Sequence, residues 1–182
     1  MFDFKNASKI ELNAEYKRIA QKVGDDQFFT KKELNFLPDV LQDGEQVIAF
    51  SSGLMDGNTW LITLTDRRII FLDKGMIFGL KQTSIPLEKV NAVSGSTGIL
   101  FGEISITDGA TIRKISNVWK KTVRNFTNLV EEQLAVNSKT KRGGDVVQPD
   151  GIVEKLEKLA ALRDKGILTN EEFEDQKKKI LS

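Results

Sequence analysis

Three adjacent carboxylate pairs, Asp25-Asp26, Glu131-Glu132 and Glu171-Glu172, are where this chain would run acid–base or metal chemistry. Such chemistry needs two carboxylates in different environments, or several ligands converging on one ion. None of the pairs has the glycine-rich or ligand-spaced context that would supply it. The first falls where a helical pattern ends, the second on a helix surface, and the third inside a helix-capping signature. The 182 residues contain no histidine and no cysteine. Disulfides, thiol nucleophiles, Cys/His zinc sites and histidine-dependent triads therefore drop out. The phosphate-cradling spacing Gly-x-x-x-x-Gly-Lys is missing too. The chain reads as a non-enzyme, with no catalytic residue, no metal ligand and no cofactor expected.

The cations are the next candidates. Arg67 and Arg68 follow Asp66 at a strand-to-strand turn. They are weak anion-contact candidates, and pairing with Asp66 or Asp73 is the favoured explanation. Lys120, Lys121 and Arg124 share one helix face, with Lys139, Lys141 and Arg142 shortly after. They would serve an anionic lipid or nucleic acid, but no aromatics are interleaved with them, so a solvated face is favoured. Lys177-Lys178-Lys179 sits in the last turns of a helix, where cations complement the dipole. Lys plus Arg total 27 against 26 Asp plus Glu, a net charge of +1. That balance argues against a nucleic-acid partner and disfavours a membrane surface.

Two apolar triplets are candidate interfaces. Ile99, Leu100 and Phe101 lie between Gly98 and Gly102 at a hairpin. Either they are exposed for a contact, or they fold back under the helix that follows; the residues alone leave both open. Met76, Ile77 and Phe78 after Gly75 pose the same question, as a strand edge open to augmentation.

These residues must be positioned by elements that the pattern specifies. Ser8 and Glu11 have capping-box spacing, and Leu12, Tyr16, Ile19 and Val23 fall on one helical face. A second box is predicted at Thr30 and Glu33, with Phe29 and Leu34 as its staple and Pro38 ending or shortening the helix. This segment is expected to lie as a helical lid on the main domain. From residue 45 to 117 the chain turns to short β-branched and aromatic runs. Their breaks are Met55-Asp-Gly-Asn58, Asp73-Lys-Gly75, Ser94-Gly-Ser-Thr-Gly98 and Asp108-Gly109. Trp60, Ile62 and Leu64 alternate with Leu61, Thr63 and Thr65, predicting an antiparallel strand with one apolar and one mostly polar face. About seven strands are expected, closing as a barrel or sandwich. A helix over about residues 118–135 follows, with Trp119, Val123, Phe126, Val130 and Leu134 as its buried stripe. Residues 137–149 read as a linker.

The tail, residues 150–182, reads as a helical hairpin. Leu156, Leu159 and Leu162 form one apolar face. Gly166 and Ile167 stop the first helix, and Thr169 to Glu172 caps the second, with Leu168 and Phe173 as its staple. Phe173, Ile180 and Leu181 are apolar on the second helix. Some thirty residues bury too little surface to stand alone. Leu156, Leu159, Leu162, Ile167, Phe173 and Ile180 are thus candidate docking residues, on this chain, a second copy or a partner.

Two stretches are similar to known families. Gly57-Asn-Thr-Trp-Leu-Ile-Thr-Leu-Thr-Asp-Arg-Arg-Ile-Ile-Phe-Leu-Asp-Lys-Gly75, Ile85-Pro-Leu-Glu-Lys-Val90 and Thr97-Gly-Ile-Leu-Phe-Gly-Glu-Ile-Ser-Ile106 resemble the bacterial pleckstrin-homology (PH)-like domains. The resemblance covers about residues 34–134. It implies a seven-stranded, strongly bent antiparallel barrel closed at one end by the C-terminal helix. Leu162-Arg-Asp-Lys-Gly-Ile-Leu-Thr-Asn-Glu-Glu-Phe173 resembles the short C-terminal (SHOCT) domain, which implies oligomerisation or docking. Eukaryotic PH domains that bind phosphoinositides set basic residues around the first hairpin. Here that loop, Ser51-Ser-Gly-Leu-Met-Asp-Gly-Asn58, has no Lys or Arg, and the resemblance does not carry that ligand over.

The expectation is a mainly β, α+β chain: an N-terminal helical segment (1–33), a PH-like domain (34–136), a linker (137–149) and a SHOCT-like hairpin (150–182). Its expected role is a non-catalytic scaffold that self-assembles and binds a protein or peptide, with anionic-membrane recruitment, through the basic helix face and Ile99 to Phe101, as the alternative. No basic n-region with an apolar h-region is visible at the N-terminus, so the expected location is cytoplasmic.

Overall fold

The structure is a computed structural model. It describes residues 1–25, 30–75, 79–109 and 111–143 (backbone alone over 139–143). In the C-terminal region it describes residues 160, 163, 169, 173–175, 177 and 178. The chain divides into two units, Met1–Asn137 and Ser138–Ser182.

Helix α1 (Lys9–Val23) starts as its sequence specifies. The Ser8 N–H donates to Glu11 Oε2 at 2.8 Å and the Glu11 N–H to Ser8 Oγ at 3.3 Å. Gly24 ends the helix with φ +85°, donating its N–H to Ala20 O. Tyr16, Ile19 and Val23 are buried, each stabilising the fold by about 2 kcal/mol. Helix α2 (Lys31–Val40) departs from expectation in two ways. Thr30 makes no side-chain cap; its hydroxyl lies 2.6 Å from Ser52 Oγ. Glu33 is turned instead to the Lys74 N–H, at 2.9 Å. Pro38 lies inside the helix rather than ending it. Phe29 lies outside the described residues.

Seven strands form one antiparallel sheet: β1 (Val47–Met55), β2 (Asn58–Thr65), β3 (Arg68–Asp73), β4 (Lys81–Pro86), β5 (Val90–Thr97), β6 (Phe101–Asp108) and β7 (Thr111–Trp119). Their order is β4-β3-β2-β1-β7-β6-β5. The β1–β2 turn carries positive φ at Asp56 and Gly57, the backbone that a two-residue hairpin requires. The seven-strand expectation holds. The polar face expected on β2 does not: Leu61, Thr63 and Thr65 are as buried as Ile62 and Leu64. Register explains this. Phe50 pairs Thr63, which pairs Ile70, placing all three on one face. Phe50 meets Tyr16 of α1 edge-on at 6.0 Å. The N-terminal helices thus cover the face that a bare sheet would give to water.

One expected break is strand instead. Ser94 to Thr97 continue β5, and the turn is Gly98 to Leu100. A Cβ on Gly95 would sit 2.6 Å from Val123 Cγ1, so this glycine admits the terminal helix against the strand.

Helix α3 (Lys120–Gly143) runs well past residue 135, into the segment expected as a linker. Val123, Phe126 and Val130 are buried in the core, and Leu134 packs partly against it. Trp119 departs from this stripe: it is the last residue of β7 and is exposed. Helix α3 also secures α1. Thr122 Oγ1 donates to Gly24 O at 2.7 Å and Asn125 Nδ2 to Val23 O at 2.9 Å. Those carbonyls are among the groups a helix end leaves unpaired.

In the second unit, residues 160, 163, 173–175, 177 and 178 are helical. The Phe173 N–H donates to Thr169 O at 3.0 Å, the first helical bond after the expected cap. The Arg163 guanidinium lies 4.8 Å over the Phe173 ring, tying the two predicted helices. Glu172, the other half of the predicted capping box, lies outside the described residues.

Candidate functional site

A candidate binding surface forms where the β5–β6 turn meets the end of β7 and the start of α3. Ile99 is 93% exposed, Leu100 63%, and Phe101 and Trp119 41% each. Four large apolar side chains exposed together make this a candidate contact surface. The Lys120 N–H donates to Leu100 O at 3.0 Å, fixing the turn against α3. Phe101 pairs Trp119 across the ladder, their ring centroids 4.6 Å apart.

Trp119 faces outward because of an irregularity in β7. Gly102 pairs Val118 but Ile104 pairs Ile115, so β7 carries one extra residue there. Asn117, with φ 56°, sits in the insertion. Such a bulge re-aims every side chain beyond it. Ile115 and Val118 both point inward, and Trp119 is delivered to the surface.

Two grooves flank this ring pair. The first, about 400 Å³, is lined by Asp25, Ser52, Gly53, Leu54, Thr59, Phe101, Asn117 and Trp119. It opens where β1 meets β7 at the pair Leu54 and Ser116. A Cβ on Gly53 would lie 2.3 Å from Ile115 Cγ2, so this crossing requires glycine. Asp25 is buried on the groove's inner side, where its carboxylate accepts the Ser52 N–H at 2.7 Å. The second groove, about 540 Å³, is lined by Gly24, Ile99, Leu100, Trp119, Lys120, Lys121, Arg124 and Asn125. Lys120, Lys121 and Arg124 are exposed and make no ion pair among the described residues. The Lys121 stem lies against Gly24 while its charge reaches solvent.

The structure places side by side the triplet Ile99, Leu100 and Phe101 and the cations Lys120, Lys121 and Arg124, the two groups that the membrane alternative combines. It separates Arg67 and Arg68 from them. Arg68 forms a two-bond pair with Glu45, Nε to Oε1 and Nη2 to Oε2, both at 2.9 Å, and reaches Val40 O. Glu45 is the partner, rather than Asp66 or Asp73. Burial opposes ionisation of Glu45, but hydrogen bonds from Arg68, the Gln42 N–H and Thr65 prevail and hold its carboxyl below the usual range. Arg67 is exposed and bonds Gln42 Oε1 and Asp43 O. Both arginines therefore serve the loop before β1. Asp66 accepts the Gln46 N–H, and Asp73 faces Lys81.

Met76, Ile77 and Phe78 lie outside the described residues, as do Leu156, Leu159, Leu162, Ile167 and Ile180 of the tail. Phe173 is described and is half-buried. Asn117 and Asp25 were missed as groove residues. An asparagine before Val-Trp is a weak bulge signal, and Asp25 reads from sequence as a helix stop. Among the described residues no three metal-ligating side chains converge, and no helix is long and apolar enough to cross a membrane.

Residues 41–132 match the family model of the bacterial PH domain, and residues 154–181 that of the short C-terminal domain. A pleckstrin homology domain from Shewanella amazonensis is similar at 17% identity, covering 58% of this chain and 97% of that one, with a TM-score of 0.43. A protein with a pleckstrin-homology domain from Shewanella loihica is similar at 17% identity, covering 57% and 94%, with a TM-score of 0.40. No curated protein matches the chain.

Proposed function

We propose, since this chain belongs to the bacterial PH domain family and carries a SHOCT domain, that it is a non-catalytic cytoplasmic scaffold which self-assembles and holds a protein or peptide partner. The observation that supports this reading is the groove beside Phe101 and Trp119. Two exposed rings stand next to a few polar groups, Asp25, Ser52, Thr59 and Asn117. An apolar wall with sparse, fixed polar groups suits a ligand, and exposed aromatics anchor protein interfaces. The Asp25 carboxylate occupies the Ser52 N–H at this edge of β1, so a partner would engage by side chains rather than by adding a strand. The tail, too small to bury its apolar residues alone, links copies.

Light scattering on the intact chain and on a chain ending before Val147 tests the assembly. A multimer that falls to a monomer on truncation supports it, and a monomer in both cases overturns it. Random-peptide display against the intact chain, with Trp119→Ala as the counter-target, tests the groove. Enrichment of peptides that lose binding to the variant is expected. Failure to enrich any overturns the partner half.

A further inference from the structure

Beyond assembly and the groove, we propose that the tip formed by Ile99, Leu100 and Trp119, together with Lys120, Lys121 and Arg124, seats on an anionic phospholipid surface. The apolar part is a protrusion. Ile99 and Leu100 stand at the crest of a tight turn, held to α3 by the Lys120 N–H. A crest presents little area to a flat protein face but can enter the boundary between lipid headgroups and acyl chains. Trp119 lies beside it, an amphipathic ring suited to headgroup level.

The charges are arranged to match. Three exposed cations follow the crest within the first two turns of α3, whose first turn has no acidic residue. Cations at a helix N-terminus oppose the helix dipole. They gain nothing from ion pairs there, since none is formed among the described residues. Glu103, two residues beyond Phe101 on β6, is the nearest carboxylate along the hairpin. No ion pair among the described residues accounts for these charges, whereas a negative surface would. With a net charge of only +1 the attraction is local, acting within a Debye length of the tip. A second copy docking the same tip face to face would set these cations against their own equivalents, which like-charge repulsion disfavours.

Flotation of the full-length chain with vesicles tests this. Phosphatidylcholine vesicles are compared with vesicles that also contain phosphatidylglycerol, at low and high salt. The chain is expected to float with the anionic vesicles at low salt and to be released by high salt. Lys120→Gln, Lys121→Gln and Arg124→Gln together are expected to lower the partition about a hundredfold, from roughly fivefold per cation. Ile99→Ser with Leu100→Ser is expected to lower it roughly tenfold or more. All these side chains are exposed, and an unchanged melting curve shows each variant folded. No flotation with anionic vesicles at low salt overturns the proposal, as does equal binding to neutral vesicles or equal binding by the folded variants. Light scattering on the same samples separates the two readings, since a chain that assembles but does not float overturns this inference alone.

Discussion

Phe101 and Trp119 face each other across the final pair of the β6–β7 ladder, ring centroids 4.6 Å apart, yet each is 41% exposed. Cross-strand aromatic pairs stabilise a sheet by up to about 1 kcal/mol. Here that pair also stands between the two grooves, so one structural contact shapes both candidate surfaces. The bulge at Asn117 creates it, because unbroken alternation from the buried Ile115 would place Trp119 on the same inward face.

The buried pair Glu45 and Arg68 makes stability pH-dependent. The Glu45 carboxyl is held below the usual range, so the folded chain binds fewer protons than the unfolded chain near that range. The pair's contribution is complete above the unfolded value of about 4.3 and is lost as pH falls through the lower folded value. Glu45→Gln strands the Arg68 charge and is expected to cost about 3 kcal/mol near neutral pH. In urea melts the gap between wild type and variant should shrink below about pH 4. A gap of constant size down to about pH 3 contradicts this.

Gly95 is a packing residue rather than a turn residue. Gly95→Ala drives a methyl into Val123 Cγ1 and is expected to cost about 1–3 kcal/mol. Val123→Ala removes the obstacle. The double variant should lose less than the two single losses added, with a coupling on the order of 1 kcal/mol by denaturant unfolding. Strict additivity contradicts the contact.

Thr122 and Asn125 anchor the end of α1 from α3. Thr122→Ala and Asn125→Ala should each cost about 1 kcal/mol. Amide exchange should quicken in the last turn of α1 while amides of β2 stay protected. Exchange that rises equally in both places contradicts a local anchor.

Much of the fold was legible because its signals are local. The Ser8–Glu11 box, the Asp56-Gly57 and Asp108-Gly109 turns and the seven short strands depend on neighbours in sequence. The errors have tertiary causes. Thr30 and Glu33 have capping-box spacing, but Ser52 and Lys74 are where their side chains turn. Thr63 looks solvent-facing until the N-terminal helices cover that face of the sheet. Ser94-Gly-Ser-Thr reads as a turn unless Val123 is known to need the space at Gly95. Trp119 fits a helical stripe until one extra residue in β7 rotates it outward. The candidate surface was half legible: its apolar triplet and its cations stand out in the sequence, but the groove that Trp119, Asn117 and Asp25 add depends on the bulge and on tertiary placement.

Whether the exposed tip beside Trp119 meets a lipid surface can be read from the fluorescence of Trp119 itself. The chain has two tryptophans, and Trp60 is buried, so Trp60→Phe leaves Trp119 as the sole reporter. On titration with anionic phospholipid vesicles its emission should shift to the blue and lose access to acrylamide. Emission that stays that of a water-exposed indole, fully quenched at every vesicle concentration, would rule out lipid contact at this tip.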